Sequence, residues 1–528
     1  RRALGYCTFV DERQVPHFWY VNQGNALIWD GRPYLPVGGM FESRYLVSGG
    51  NPQQWAKDLH SITLLAAKGV LDTYVNPPAR FGHVPTWMWQ HLIDRFEDLG
   101  IRYGLELTAF GYGSPETHLD AYVVRMFEEI GGRSLDSGSG DAVHLGNFMI
   151  DNITASGVHR PAKPIEFGAA HTKIHRVNHV LYALVDRTDP ALVDVGQALF
   201  RFADNKLDVA VDLTLPREGH TYTAYLVPNV TFNGPFGNYW QHGARFADAI
   251  GRHLSQLRLG PGFRFIVDPI DNEPGIYGDH AGFFFHFPEF QAEYAEWLRA
   301  KYRNIAALHE AWAVSPATPL AGFTSAANLT PLQAGPLNSP WQNRAFAWCP
   351  TSKTSHELDY ATTQLWYDYL DFRHHSFMEH RNRLADAIKR VADVPIVFKR
   401  AYMDSRYAGN TRLHGGFDGV GIEDYGSGDR LTYIALEGHG RCADSMRTLW
   451  CLTTETHHEG GMHFDYVGYR SEADMVDTFS RQIAGGSKGI YHFLLSTSAG
   501  WENHALVNDP KQLDWMRTFA QRLAARAD

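Results

Sequence analysis

Three consecutive stretches decide the fold. They are Gly69-Val70-Leu71-Asp72-Thr73-Tyr74-Val75, a helical spacing of apolar residues over 86–98, and Ile101-Arg102-Tyr103-Gly104-Leu105-Glu106-Leu107. A short apolar run, an amphipathic helix and a second apolar run at this spacing form a parallel βα unit. Upstream, 32–41 reads as a strand running into a loop at Gly38-Gly39, followed by helical spacing at 54–67. Downstream the rhythm breaks from about 113 to 232. There Leu207, Val209, Val211, Leu213 and Leu215 fall on every second position, one face of a strand, and 180–185 is a second strand candidate. Asp204-Asn205 signals a turn just before the alternating run.

The alternation then resumes. A helix at about 239–257 leads into a strand at 263–268. A helical face over 289–313 follows, made of Tyr294, Trp297, Leu298, Ile305, Leu308 and Trp312. After a Pro/Ser/Ala-rich loop at 315–355, a long helix spans 358–390, and strands follow at 395–398, 419–422, 448–452 and 489–494. Met475, Phe479 and Ile483 form a helix face that Gly485-Gly486 stops, and Leu513, Met516, Ala520 and Leu523 form a closing helix. Three strands before the break and five after it make eight, the number that closes a (β/α)₈ TIM barrel. The expected class is therefore α/β: residues 1–112 and 233–528 form the barrel, and 113–232 form a β-rich, sandwich-like domain inserted after the third strand.

Composition narrows the partners. The chain has 528 residues, with Lys+Arg 48 against Asp+Glu 58, a net charge of −10, and 13% aromatic residues. This is a globular balance rather than a disordered one, and a pI of about 6.2 lacks the basic footprint that nucleic acid requires. No apolar run reaches the length of a membrane span. The cysteines Cys7, Cys349, Cys442 and Cys451 contain no CxxC pair, so a zinc knuckle and a thioredoxin-like motif are both excluded. The stretch His457-His458-Glu459-Gly460-Gly461-Met462-His463 is not a zincin motif, because His458 and His463 are five apart and two glycines oppose a helix. No metal and no cofactor is expected.

In barrels of this class the reacting groups sit at the C-terminal ends of the strands. The fourth strand runs into Asp271-Asn272-Glu273-Pro274-Gly275 and the seventh into Thr453-Thr454-Glu455-Thr456-His457. Two facing carboxylates are what glycosidic cleavage needs, one to protonate the leaving oxygen and one to meet an oxocarbenium-like carbon. Glu423 and Glu459 are alternatives to Glu455. Arg44, Glu42, Asn76 and Arg80 lie after the first two strands as candidates to line a sugar pocket, with a structural role equally open to them. His457 is a loop histidine that could touch substrate. Trp501, Trp312 and Trp348 are candidate stacking platforms, with Trp312 better explained by core packing and Trp501 the stronger of the three.

Asp271-Asn272-Glu273, with Phe290-Gln291, Glu296-Trp297-Leu298-Arg299-Ala300-Lys301-Tyr302 and Ile305-Ala306-Ala307-Leu308-His309-Glu310-Ala311-Trp312, resembles the fourth-strand region of glycoside hydrolase family 42 β-galactosidases. Glu455 and the run from Phe479 through Gln482-Ile483-Ala484-Gly485-Gly486-Ser487-Lys488-Gly489-Ile490 resemble the same family's nucleophile strand and its approach to the eighth strand. The resemblance implies a clan A barrel and a retaining double displacement, with Glu273 as acid/base and Glu455 as nucleophile. It also implies Asn272 as a hydrogen-bond partner of the sugar 2-OH. Tyr425, ending the sixth strand in Glu423-Asp424-Tyr425-Gly426, is placed to orient Glu455 by a hydrogen bond, with plain packing equally open to it. Residues 113–232 depart from the family's ordinary pattern, and its zinc-binding cysteine cluster has no counterpart here.

The reading is a retaining β-glycoside hydrolase acting on a terminal β-linked sugar. Its alternatives are an endo-acting β-glycanase and an inactive carbohydrate-binding barrel. The expected partners are a carbohydrate substrate and, as an oligomer, further copies of the chain. The sequence opens Arg1-Arg2 without a Met, and an extracytoplasmic location is the expectation carried by that and by a polymer-type substrate.

Overall fold

The computed structural model describes residues 7–76, 84–107, 149–166, 174–189, 191–204, 206–232, 251–267, 288–313, 320–333, 344–349, 354–359, 364–400, 416–424, 449–457, 468–496 and 505–526. It divides into two compact units. One comprises residues 1–112, 243–274 and 377–528; the other comprises 113–242 and 275–376.

The first unit is built on a closed parallel barrel. Its strands are β1 (Val37–Glu42), β2 (Asp72–Asn76), β3 (Arg102–Glu106), β4 (Phe263–Val267), β5 (Ile396–Arg400), β6 (Gly419–Asp424), β7 (Trp450–Thr456) and β8 (Ile490–Ser496). They close in sequence order, β8 returning to β1. Described helices between them are Pro52–Lys68, Thr86–Asp98 and Glu472–Gly485, and Pro510–Ala524 follows β8. The barrel is the α/β class expected from the alternation, each strand short and almost wholly buried, with polar residues such as Asp72, Asn76 and Thr453–Thr456 buried beside the apolar ones.

Gly38-Gly39 differs from its reading as a loop: both residues lie inside β1. The reason is steric. A Cβ on Gly38 would stand 1.8 Å from the Asp72 carbonyl oxygen, and one on Gly39 2.6 Å from the His492 carbonyl oxygen. The neighbouring backbones approach too closely for any side chain, a use of glycine in strands that sequence reads as a break.

The N-terminal residues form an antiparallel sheet that the alternation did not foretell: Cys7–Val10, Pro16–Val21, Leu27–Trp29 and Arg32–Tyr34 in that order. It joins residues at the N-terminal end of the barrel strands. Trp19 Nε1 donates to the Asp393 carbonyl (2.6 Å), Asn25 Nδ2 to the Leu449 carbonyl (2.8 Å), and the Tyr34 hydroxyl to Asp72 Oδ1 (2.9 Å). Arg102 also grips Asp72, its Nη2 lying 2.6 Å from Oδ2. Above this floor Tyr74, Phe265, Trp450 and Tyr491 pack ring against ring, with Phe265 5.5 Å from Trp450 and 5.6 Å from Tyr491 between centroids. Such a layer makes the barrel a filled core rather than a pore.

The second unit has two antiparallel sheets of four strands. One orders Ala191–Gln197, Ile174–Asp186, Tyr222–Phe232 and Met149–Ile153; the other centres on Lys206–Leu213. In Lys206–Leu213, Leu207, Val209, Val211 and Leu213 are buried, as their alternation requires. These residues share one apolar core with Tyr294, Leu298, Leu308, Trp312, Leu365 and Phe372.

The helical face over 289–313 is two helices, Pro288–Tyr302 and Ile305–Trp312. Between them Arg303 takes φ 64°, and the Asn304 side chain caps the second helix by accepting from Ala307 N. The loop read at 315–355 contains a short helix, Phe323–Ala327, and the start of a three-stranded antiparallel sheet of Thr330–Gln333, Arg344–Cys349 and Thr354–Asp359. The long helix accordingly begins at Gln364.

Candidate active site

Above the aromatic layer, towards the C-terminal ends of the strands, the barrel carries charge. Lys399 of β5 projects its ammonium among three carboxyls. Its Nζ lies 3.3 Å from Glu106 Oε1 of β3 and 3.5 Å from Glu423 Oε1 of β6, and in direct ion-pair contact with Glu455 Oε1 of β7. Lys399 and Glu106 have no exposed side-chain surface; what little the cluster has lies on Glu423 (1%) and Glu455 (3%).

The strands dictate this grouping. Glu423 and Glu455 are register partners on adjacent strands, and a bulge between Ile422 and Glu423 precedes that pairing. Burial by itself strips water from the Lys399 ammonium and favours its neutral form. Attraction from Glu106, Glu455 and Glu423 outweighs this and pushes the pKa well above the ordinary lysine value. Lys399 is therefore a fixed cation, not a poised base. The Tyr74 hydroxyl, which donates to the Thr454 carbonyl (2.9 Å), is held protonated by burial and by the same carboxylates, although Lys399 opposes them.

A second set of contacts fixes the ends of β6 and β7. Gln482, from the helix Glu472–Gly485, donates through Nε2 to Asp424 Oδ2 (3.1 Å) and Thr456 Oγ1 (2.7 Å). In the middle of β7, Thr453 N and its hydroxyl both lie 3.0 Å from Ser487 Oγ. Glu455 thus sits between two tied positions, Thr453 and Thr456, which suits a group whose position must hold to a fraction of an ångström.

Of the residues singled out from the sequence, Glu42 and Asn76 end β1 and β2 and are register partners. Asn76 Nδ2 lies 3.3 Å from Met40 Sδ. Arg44 is buried and acts as a clip: its Nη1 donates to Ser496 Oγ at the end of β8 (2.7 Å) and lies 3.5 Å from Asp58 Oδ1. Asp58 also accepts from the Ser43 hydroxyl (2.8 Å) and Tyr45 N (3.0 Å). His457 follows β7 directly and is buried. Trp312 is a core residue, 3% exposed. Glu273, Asn272, Tyr425, Trp501 and Arg80 lie outside the described residues.

Lys399 and Glu106 were not read as site residues. Lys399 directly follows the fifth apolar run, 395–398, and a charged residue just beyond such a run is the kind of signal that singles out Glu455. Among the described residues no group of His, Cys, Asp and Glu could hold a metal ion, and no helix is long and apolar enough to cross a membrane.

His492 of β8 is also fully buried, its Nδ1 3.3 Å from the Tyr469 hydroxyl. Burial, then the nearby His457, hold its pKa well below the usual 6.5. The unfolded chain takes up a proton as pH falls below 6.5 while the folded chain does not. Its contribution to stability is intact above 6.5 and is lost as pH falls from there towards the folded-state value. One such group gives a slope of about 1.4 kcal/mol per pH unit. His492→Asn, which does not titrate, is expected to unfold with a shallower pH dependence between pH 7 and 5 than the parent protein, by up to that amount. Equal slopes would show that His492 is not buried neutral.

No protein-family model matches the sequence, and no curated protein matches it. Among solved structures the chain is similar to a β-galactosidase from the psychrophilic Marinomonas ef1, with TM-score 0.50 and 10% identity over 93% of this chain and 60% of that one. It is also similar to a β-galactosidase from Bacillus circulans sp. alkalophilus (TM-score 0.49, 12% identity, 94% and 57% covered). A family 42 β-galactosidase from G. stearothermophilus gives TM-score 0.48 at 12% identity, with 96% and 58% covered. The first of these likenesses is one of fold: both chains are built on a (β/α)₈ barrel. This chain spans about 60% of the length of that enzyme.

Proposed function

We propose that the chain is a retaining β-glycoside hydrolase of the family 42 type, releasing a terminal β-linked sugar by double displacement. Glu455 is the nucleophile and Glu273 the acid/base. The observation that carries the reading is Glu455 itself: a carboxylate near the C-terminal end of β7, between the tied residues Thr453 and Thr456, paired with the buried cation Lys399. Asn272-Glu273 follow β4, and β5 and β6 separate β4 from β7 in the barrel. Two carboxyls from such strands face one another across a barrel mouth. In a retaining enzyme they stand about 5–5.5 Å apart, close enough for one to reach the anomeric carbon while the other protonates the leaving oxygen. Asn272 holds the 2-OH, Tyr425 orients Glu455, and Trp501 stacks on the sugar. Glu42, Arg44, Asn76, Arg80 and His457 line or brace the pocket, Arg44 by its hold on Ser496. The fold's likeness to β-galactosidases makes galactose the first sugar to try.

The test is hydrolysis of a panel of aryl β-glycosides (galactoside, glucoside, fucoside, arabinoside, mannoside, glucuronide), with NMR following the first-formed anomer. Turnover of the β-galactoside with the β-anomer appearing first is expected. The α-anomer appearing first would mean inversion and remove the nucleophile role. Turnover only of β-linked polysaccharide, to oligosaccharides, would make the site an endo-acting cleft. Oligosaccharide binding without turnover would make it a binding barrel.

A further inference from the structure

We infer that Lys399 is the positioning residue for Glu455, its ammonium anchoring one carboxylate oxygen so that the group stands ready on the barrel axis. The inference deepens the glycosidase reading and rests on it. Three observations carry it. Lys399 comes from β5 and Glu455 from β7, so the contact crosses the barrel over β6 rather than running along a sheet. The ammonium is fully buried and contacts Glu106 and Glu423 as well, which fixes it from two further strands. The contact is made through Oε1 of Glu455. A buried cation held by three carboxyls is a costly construction if packing were all it achieved, since apolar residues of similar volume fill such a space as well or better. What apolar residues cannot do is hold a carboxylate in one orientation, and misplacement by about 1 Å can cost about 100-fold in rate.

The same geometry explains why the cation is a lysine two strands away from Glu455. A long unbranched side chain from β5 reaches past β6 and presents a compact charge with donors in three directions. Three carboxyl oxygens from β3, β6 and β7 meet it.

The experiment is covalent labelling with a 2-deoxy-2-fluoro-β-galactosyl fluoride, or the corresponding reagent for whichever sugar is turned over. In the labelling step a Glu455 oxygen bonds to C1, the C1–F bond breaks and fluoride leaves, giving an ester seen as a mass increase and mapped by peptide sequencing. Lys399→Met leaves three carboxyls facing one another, so the charge-balanced Lys399→Met/Glu106→Gln variant is made beside it and read in the same way.

The expected result is full labelling of the folded variant at Glu455, about 100-fold slower than in the parent protein, with reagent affinity changed less than about threefold. Labelling at the parental rate overturns the inference. So does a reduced labelled fraction that reacts at the parental rate, which marks a purely structural lysine. If the parent protein itself takes no label, or takes it elsewhere than Glu455, the glycosidase reading falls and the inference with it. That failure is visible in the parent and so is distinct from a failure confined to the variant.

Discussion

Glu455→Gly is expected to lower kcat on an aryl β-galactoside by at least about 10⁴-fold, a barrier increase of about 5–6 kcal/mol, and to regain turnover in azide. In the proposed mechanism the carboxylate attacks C1 from the face opposite the leaving group, and removing it leaves a space of about the size of azide on that face. Azide then attacks from where the carboxylate did, and the product is the α-glycosyl azide. Glu273→Ala should behave differently. There the glycosyl-enzyme still forms from a substrate with a good leaving group, azide meets it from the opposite face, and the product is the β-glycosyl azide. The two anomers therefore assign the two roles independently. Glu423 is the decisive control, because it is the register partner of Glu455 and contacts the same ammonium. If Glu423→Gly yields the α-azide and Glu455→Gly does not, the nucleophile belongs to β6. Product identity by NMR decides it, and the rate alone would not.

The eight barrel strands are legible because each is a short apolar run bounded by polar residues, a property of the strand itself. What was not legible depends on residues remote in sequence. Gly38-Gly39 reads as a loop until the carbonyls of Asp72 and His492 are seen to fill the space a Cβ would need. Thr354–Asp359 carries the polar sequence TSHELD and reads as the run-in to a helix; it is a strand because Arg344–Cys349 pairs with it. The N-terminal sheet is a set of three- to six-residue strands, too short for periodicity to separate from loop.

The site divides the same way. Glu455 stood out as a carboxylate following an apolar run. Its partner Lys399 lies 56 positions earlier (455 − 399), Glu106 lies on β3, and the barrel alone brings them together. Glu273 was singled out by its place after the fourth strand and by its neighbours in the sequence.

Asp368→Ala is expected to destabilise the second unit by about 3–5 kcal/mol, and the reason bears on what the sequence resemblance consists of. Asp368 has no exposed side-chain surface. One oxygen receives Lys301 Nζ (2.7 Å) and Gln364 Nε2 (2.7 Å); the other receives Trp312 Nε1 (2.8 Å) and the Tyr302 hydroxyl. Four donors from three helices thus converge on one carboxylate. The desolvation cost of Asp368 is offset only while they stay in place. Its removal strands several at once. Lys301, 34% exposed, can turn to water; the Trp312 indole N–H, in a residue 3% exposed, cannot. Each buried donor left unpaired costs about 1–3 kcal/mol.

Asp368→Asn retains one acceptor oxygen but aims an NH₂ at donors, so it should fall between the parent and the alanine variant. Denaturant unfolding followed by tryptophan fluorescence measures the series. A loss below about 1 kcal/mol for Asp368→Ala would mean that the helices hold by apolar contact alone. Lys301, Tyr302 and Trp312 belong to the stretch that resembles family 42 β-galactosidases. Their place around Asp368 gives this part of the likeness a structural reason, a buried carboxylate and its donors. The chemistry must therefore be tested at Glu273 and Glu455 directly.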